Sequence, residues 1–340
     1  MEVYDKDILS ILNEAERFAK DTSIEVDYSK IDLKDILKLE LVSDSNDTIS
    51  LFYDEIKEEA ILTISGRNPK CYNKRMDAEE YLGLCSFLHI EENNDSNISK
   101  SFMFEGVAVR AFAITKPFST YPNITISTAK NAPATWGQID LVEVLKKIMR
   151  KNFLIVGASG AGKTYLLNYM LKESHKNTTT KIGIIEEFFE LYPPNKSTCR
   201  LIVPPTKPGE ERKLKYLTEM SNLMRLDYLY LGEIKGEEAW PFLINLSSGT
   251  KGAATVHGDS AIFGLKRIQN LCISAGIPQQ IVAETMSKSI KYVIYVEKHE
   301  IKEIISLTGV AMQGNFQHTT IWSLDHGFNK DIKIFEMYDK

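Results

Sequence analysis

The chain has 340 residues, of which 43% are hydrophobic and 26% charged, enough for two globular domains of roughly 150 residues each. Its net charge of −5 argues against a protein that holds nucleic acid mainly through phosphates, which takes a basic excess. Cys71, Cys85, Cys199 and Cys272 lie far apart and form no CxxC pair, which points to scattered buried thiols in a reducing compartment and away from a disulfide frame or a zinc site.

The opening MEVYDKDILSILNEAERFAKD carries acids early and lacks a long apolar run, unlike a signal peptide or a membrane span. Ile8, Leu9, Ile11, Leu12, Ala15, Phe18 and Ala19 recur at helical spacing and predict an amphipathic helix. The alternation over 47–65 predicts two short strands, and Ala78–Cys85 another helix. A polar loop is expected at 91–97, then strand-like runs at 102–114 and 123–128, with Pro117 and Pro122 between them. No apolar run reaches the ~18 residues that cross a bilayer, so any membrane association is expected to be peripheral or through a partner.

Beyond the Asn131–Gly137 segment the pattern changes. Short apolar runs at 153–156, 182–185, 228–231, 253–256 and 292–296 alternate with helical stretches. Strands separated by helices predict a parallel sheet covered on both faces.

Directly after the first of these runs comes Gly157-Ala158-Ser159-Gly160-Ala161-Gly162-Lys163-Thr164, which meets the pattern GxxxxGK[ST] in full. A helical stretch with Leu166, Leu167, Met170 and Leu171 on one face follows. Strand, glycine-rich loop and helix together read as a triphosphate cradle: backbone N–H groups and the helix N-terminus face the phosphates. Lys163 is expected on the β- and γ-phosphates of ATP, and the Thr164 hydroxyl on Mg²⁺. The predicted fold class is therefore α/β: a RecA-like P-loop NTPase domain with a parallel sheet over 141–340. It is preceded by a smaller α+β N-terminal domain over 1–130 and a linker at 131–140.

Three further strand ends carry polar groups. Glu233 closes the run ending Leu231-Gly232-Glu233, where an acid can hold Mg²⁺ or its water; the same acid also reads as one of a solvated charged run. Glu186 and Glu187 close the run Ile184-Ile185, either as a general base over an attacking water or as an acid pair opening a helix. His257, after Thr255-Val256, is either a donor sensing the γ-phosphate or a satisfied structural histidine.

In their order these segments resemble the type II/type IV secretion ATPase superfamily, and most closely the traffic ATPases of conjugation-type type IV secretion systems. The residues that carry the resemblance run over ~105–300: Asn123-Ile124-Thr125-Ile126-Ser127, the GxxxxGK[ST] loop, IIEEFFEL, MRLDYLYLGEIKGEEA and SSGTKGAATVHGDSA. The resemblance implies Glu186 as the acidic-box carboxylate and general base, Glu233 as the Walker B acid, and Gly249, Gly252 and His257 as the histidine box. It implies a homohexameric ring working at the cytoplasmic face of the inner membrane, with channel components and a second ATPase as partners and no tight nucleic-acid ligand. The chain departs from the family pattern at Glu187, Thr250, Leu223, Leu226 and Ser127. An arginine is expected at this last position, and Arg110, Arg200 and Arg212 are the candidates to replace it on the phosphates. The missing tetracysteine module argues against a type II secretion motor, and the absence of a further helical signature in 276–340 against a pilus-retraction motor. An assembly or retraction motor of a pilus-like filament, or a poorly hydrolysing nucleotide-gated scaffold of the same ring, is the alternative.

Overall fold

The computed structural model describes residues 31–42, 48–65, 70–90, 97–129, 137–192, 194–203, 213–310 and 315–329. The helix expected at 8–19, the loop at 91–96 and the 131–136 segment lie outside them. The chain divides into two compact units, Met1–Lys130 and Asn131–Lys340.

In the first unit, helices α1 (Leu33–Val42) and α2 (Ala78–Phe87) accompany a six-stranded antiparallel sheet. Its strands are β1 (Thr48–Asp54), β2 (Glu59–Ser65), β3 (Lys70–Arg75), β4 (Asn97–Phe104), β5 (Val107–Ile114) and β6 (Asn123–Ala129), ordered β3-β2-β1-β6-β5-β4. Helix α2 starts where it does because Asp77 accepts the Glu80 N–H at 2.9 Å while the Glu80 carboxylate accepts the Asp77 N–H at 3.0 Å. This reciprocal pair satisfies two helix-end donors. The core takes alternate strand residues, such as Val109, Ala111 and Ala113, against Ile36, Leu37 and Leu84 of the helices. The strand-like run over 102–114 is a hairpin. Glu105 and Gly106, with φ 47° and 81°, turn the chain between β4 and β5, a left-handed pair that suits the twist of a tight hairpin.

The second unit contains β7 (Phe153–Gly157), β8 (Ile182–Glu186), β9 (Thr198–Ile202), β10 (Tyr228–Ile234), β11 (Lys251–His257), β12 (Tyr292–Glu297), β13 (Glu300–Val310), β14 (Phe316–Ser323) and β15 (Gly327–Phe328). Its helices are α3 (Val142–Ile148), α4 (Lys163–His175), α5 (Lys213–Ser221), α6 (Ala239–Ser247), α7 (Ala261–Ser274) and α8 (Gln279–Ser289). The strand order is β15-β14-β13-β12-β7-β11-β10-β8-β9. From β9 to β12 every pairing is parallel, and β13, β14 and β15 extend the sheet antiparallel. The expectation of a parallel sheet is corrected to that extent: β14 reads FQHTTIWS, with no continuous apolar run to announce it, and buries only Ile321 and Trp322 in the core.

That core explains the short apolar runs. Phe153 and Ile155 of β7 point into one cluster with Leu145, Leu166 and Met170 of α3 and α4. Leu154 and Val156 point into the opposite cluster with Phe242, Leu265 and Met286 of α6, α7 and α8. Strands buried on both faces cannot alternate apolar and polar residues. Helix α7 comes unusually close to β7: a methyl group added at Gly264 would sit 2.3 Å from Val156 Cγ2, and one at Gly258 2.8 Å from Val156 Cγ1. Two of the four cysteines, Cys85 and Cys272, are buried thiols, whereas Cys71 is exposed and Cys199 half-buried.

His175 closes α4 in a buried position, its Nε2 2.8 Å from the Tyr230 hydroxyl. Burial pushes its pKa down from 6.5 to about 4. The unfolded chain therefore takes up the proton first as the pH falls. The stability His175 contributes is complete above pH 6.5 and is lost between pH 6.5 and about 4, with a limiting slope of about 1.4 kcal/mol per pH unit. Urea denaturation at several pH values within that window should show this fall, and His175→Gln should flatten it by about one proton. An unchanged pH profile in the variant would assign the acid sensitivity elsewhere.

Candidate functional site

Strand β7 ends at Gly157, and the loop to Gly162 delivers the chain into α4 at Lys163. Gly160 and Gly162 have φ of 71° and 97°, a left-handed backbone that glycine adopts without a Cβ clash. The loop closes on itself through Ala161 N–H donating to the Ala158 carbonyl at 3.2 Å. It thereby leaves the first N–H groups of α4, which have no partner within the helix, facing its mouth. The buried Lys163 ammonium donates to the carbonyls of Gly157 at 3.0 Å and Ala158 at 2.7 Å and stands 3.4 Å from His257 Nδ1. Burial draws its pKa down, against the opposing pull of Glu233 and Glu190.

His257 and Glu233 reach Lys163 from the neighbouring strands. β11 pairs with β7 so that His257 lies opposite Gly157, and β10 lies beyond it. His257 Nε2 is 2.7 Å from Glu233 Oε1. Burial, and then the Lys163 charge, lower the His257 pKa, with Glu233 opposing. A neutral ring paired with a carboxylate carries its proton on Nε2, which leaves Nδ1 as an acceptor toward Lys163. The Thr255 hydroxyl donates to the Gly232 carbonyl at 2.6 Å and laces the two strands just below. The structure thus brings together Lys163, Glu233 and His257, three residues expected from three separate segments.

The acidic box behaves differently. Glu186 is buried at the end of β8. Its Oε1 accepts the N–H groups of Glu190 and Leu191, each at 2.8 Å, and its Oε2 pairs with Arg200 Nε at 2.9 Å. Burial raises its pKa, and Arg200 foremost among its partners pulls it back down. Both oxygens of this carboxylate are engaged by protein donors and its side chain is 2% exposed, a setting that suits holding the 186–191 segment more than the general base expected from the sequence. Arg200, one of the candidate phosphate contacts, pairs with Glu186, donates to the Leu191 carbonyl and lies 4.5 Å from the centre of the Phe189 ring. Glu187 points the other way and pairs with Lys235.

The residue missed in the sequence is Glu190. Its main chain is fixed at both ends, the N–H by Glu186 and the carbonyl by Asn168 Nδ2 of α4 at 2.8 Å. Asn168 Oδ1 also accepts the Tyr192 N–H at 2.9 Å. Strapped to α4 in this way, Glu190 brings its Oε2 to 3.3 Å from the Thr164 hydroxyl, and its charge is felt at Lys163. The Thr164 hydroxyl and the Glu190 and Glu233 carboxylates supply the hard oxygen donors that Mg²⁺ takes, so the residues present fit that ion. Arg110 lies on β5 of the first unit between Ser101 and Ser127, and Arg212 lies outside the described residues.

The family model described as Type II/IV secretion system protein matches residues 123–305, more than half of the chain. The chain belongs to that family. The match takes in Lys163, Glu186, Glu190, Glu233 and His257. Among relatives of this secretion-family chain is a Mycobacterium tuberculosis protein provisionally named for conjugal transfer, 26% identical over 66% of this chain and 68% of the relative. Another is the VirB11 protein of Rhizobium radiobacter, 28% identical over 46% of this chain and 48% of its own length. A similar fold occurs in the crystal structure of the pilus retraction motor PilT with bound ADP, at TM-score 0.54 and 18% identity over 86% of this chain and 82% of that one. Among the described residues of the secretion-family chain, no helix is long and apolar enough to cross a membrane.

Proposed function

We propose that this family member is an ATPase that drives substrate transfer or pilus assembly in a conjugation-type type IV secretion system. The observation that carries the reading is the convergence of Lys163, His257 and Glu233 on a left-handed glycine loop at the head of α4, the arrangement a triphosphate needs. In this reading residues 157–164 belong to a RecA-like P-loop domain. Lys163 exchanges its loop carbonyls for β- and γ-phosphate oxygens, and Thr164 and Glu233 hold Mg²⁺, which neutralises phosphate charge when bound. Glu190 takes the proton of the water that attacks the γ-phosphorus as the bond to the ADP oxygen breaks. His257, neutral and tied to Glu233, sits where its Nδ1 follows the position of the Lys163 ammonium and so registers which phosphates are present. Glu186 and Arg200 hold the loop that carries Glu190.

The protein is proposed to act as a ring of six at the cytoplasmic side of the membrane, with channel components and a second ATPase as partners. The chain is proposed to consist of an N-terminal domain over 1–130 and an ATPase domain over 141–340, joined at 131–140. The kinship with a protein named for conjugal transfer supports the conjugation-type assignment. The PilT-like fold supports a second reading, a pilus or filament motor. Phosphate release by the purified chain, followed together with light scattering in a non-hydrolysable ATP analogue, tests the shared part. The expected result is turnover and a particle near six times the 38.6 kDa chain mass. Monomers with and without the analogue would refute the ring, and absent turnover would leave the poorly hydrolysing scaffold.

A further inference from the structure

The γ-phosphate side of the loop is crowded: His257, Glu233 and Glu190 all come from strands on the β11 side of β7 or from the loop after β8. On the other side of β7 runs β12, parallel and in register from Tyr292 opposite Phe153 to Tyr295 opposite Val156. It therefore ends level with the loop, and there it turns back into β13 through Lys298 and His299. Both residues have left-handed φ, 50° and 61°, in a turn where asparagine and glycine are the usual occupants.

This turn is built onto the phosphate loop. The His299 N–H donates to the Ala161 carbonyl at 2.9 Å. The His299 ring covers Gly162 so closely that a methyl group there would sit 2.7 Å from Nδ1, and the Val296 carbonyl covers Gly157 at 2.4 Å from the equivalent point. The His299 ring also meets Tyr165, the residue after Thr164, edge to face, with ring centres 6.2 Å apart and planes at 87°. Both rings are exposed, Tyr165 by 37%. The pair is thus exposed and fixed to the glycine loop on the β12 side of β7, across from the strands that carry Glu233 and His257.

We propose that Tyr165 and His299 seat the nucleoside end of the bound triphosphate, the base lying against the two rings. This rests on the phosphate-loop reading of 157–164. With the γ-phosphate directed to the β11 side, the polyphosphate leads away along the first turn of α4, and the nucleoside emerges beside Tyr165 and the Lys298–His299 turn. Flat aromatic surfaces are what a base recognises without regard to its hydrogen-bonding edge, so the pair confers affinity for purine nucleotides more than choice between them.

Calorimetric titration of the full chain with ATP, and separately with inorganic tripolyphosphate, tests the assignment. Tripolyphosphate presents the phosphates without a nucleoside. His299→Asn keeps a residue at ease with positive φ while removing the ring, and Tyr165→Leu keeps the helix. Each variant should bind ATP about tenfold or more weakly and tripolyphosphate as the parent does. Unchanged ATP affinity in both variants would overturn the proposal. Equal weakening of both ligands would overturn it too, because the turn would then only shape the loop. If the parent binds neither ligand, the phosphate-loop reading itself fails and takes this inference with it.

Discussion

Glu190→Gln is expected to bind ATP with near-parental affinity and to turn it over at least about 100-fold more slowly. A positioned general base contributes 10²–10⁴-fold in rate, and the amide keeps the shape of the carboxylate but cannot take a proton. Binding should survive because the main chain of Glu190, held by Glu186 and Asn168, does not depend on its side chain. Glu186→Gln should act through the fold. The new amide would face two N–H donors and the Arg200 guanidinium, all at hydrogen-bond distance from the present carboxylate. It would leave a buried donor set short of acceptors, at a cost of about 1–3 kcal/mol. Its turnover should fall alongside a lower urea midpoint, and Glu187→Asp should stay active because that side chain pairs with Lys235 away from the loop. Turnover, ATP affinity and denaturation midpoints for the three variants decide the matter. A stable, inactive Glu186→Gln beside a normal Glu190→Gln would return the base to Glu186.

Lys163→Ala should lose ATP turnover, by at least about 100-fold as expected for removal of a charged donor aimed at developing phosphate charge. The fold should persist, because among the described residues the ammonium contacts the Gly157 and Ala158 carbonyls and the His257 ring, groups at the mouth of a loop and not in either hydrophobic cluster. The removed charge also lowers the His257 pKa, so in the variant that pKa should rise, an effect visible by NMR titration even when turnover is gone. Parental hydrolysis by Lys163→Ala would mean that the site lies elsewhere in the chain.

The strands that carry the site were readable because they are buried on both faces, and five apolar runs marked β7, β8, β10, β11 and β12. Strand β9 escaped because all of TCRLI is half-buried at a sheet edge, and β13 and β14 because polar residues interrupt their apolar ones, although Ile301, Ile304, Ile305, Leu307, Ile321 and Trp322 reach the core. Lys163, Thr164, Glu233 and His257 were readable because a fixed loop pattern or a strand end determines where each side chain goes. Glu186 stands at a strand end too, which determines its direction, but its pairing with Arg200, fourteen residues away in the chain and adjacent in space, has no local signal. Glu190 stands in an irregular loop, and its position comes from Asn168, a contact across 22 residues that no local pattern encodes.

The glycines that admit α7 to the sheet bear on how variation in this protein would be interpreted. A side chain at Gly264 would meet Val156, the residue before Gly157, and Gly258, which follows His257, faces the same Val156 side chain. Any larger residue at either position must displace the Val156 side chain or lift the start of α7 away from β7, the strand that leads to Lys163. In a genetic screen, changes at 258 and 264 would therefore score with the active-site residues, as abrupt losses with few intermediate alleles. Geneticists would be led to assign chemistry to two positions with no functional group at all.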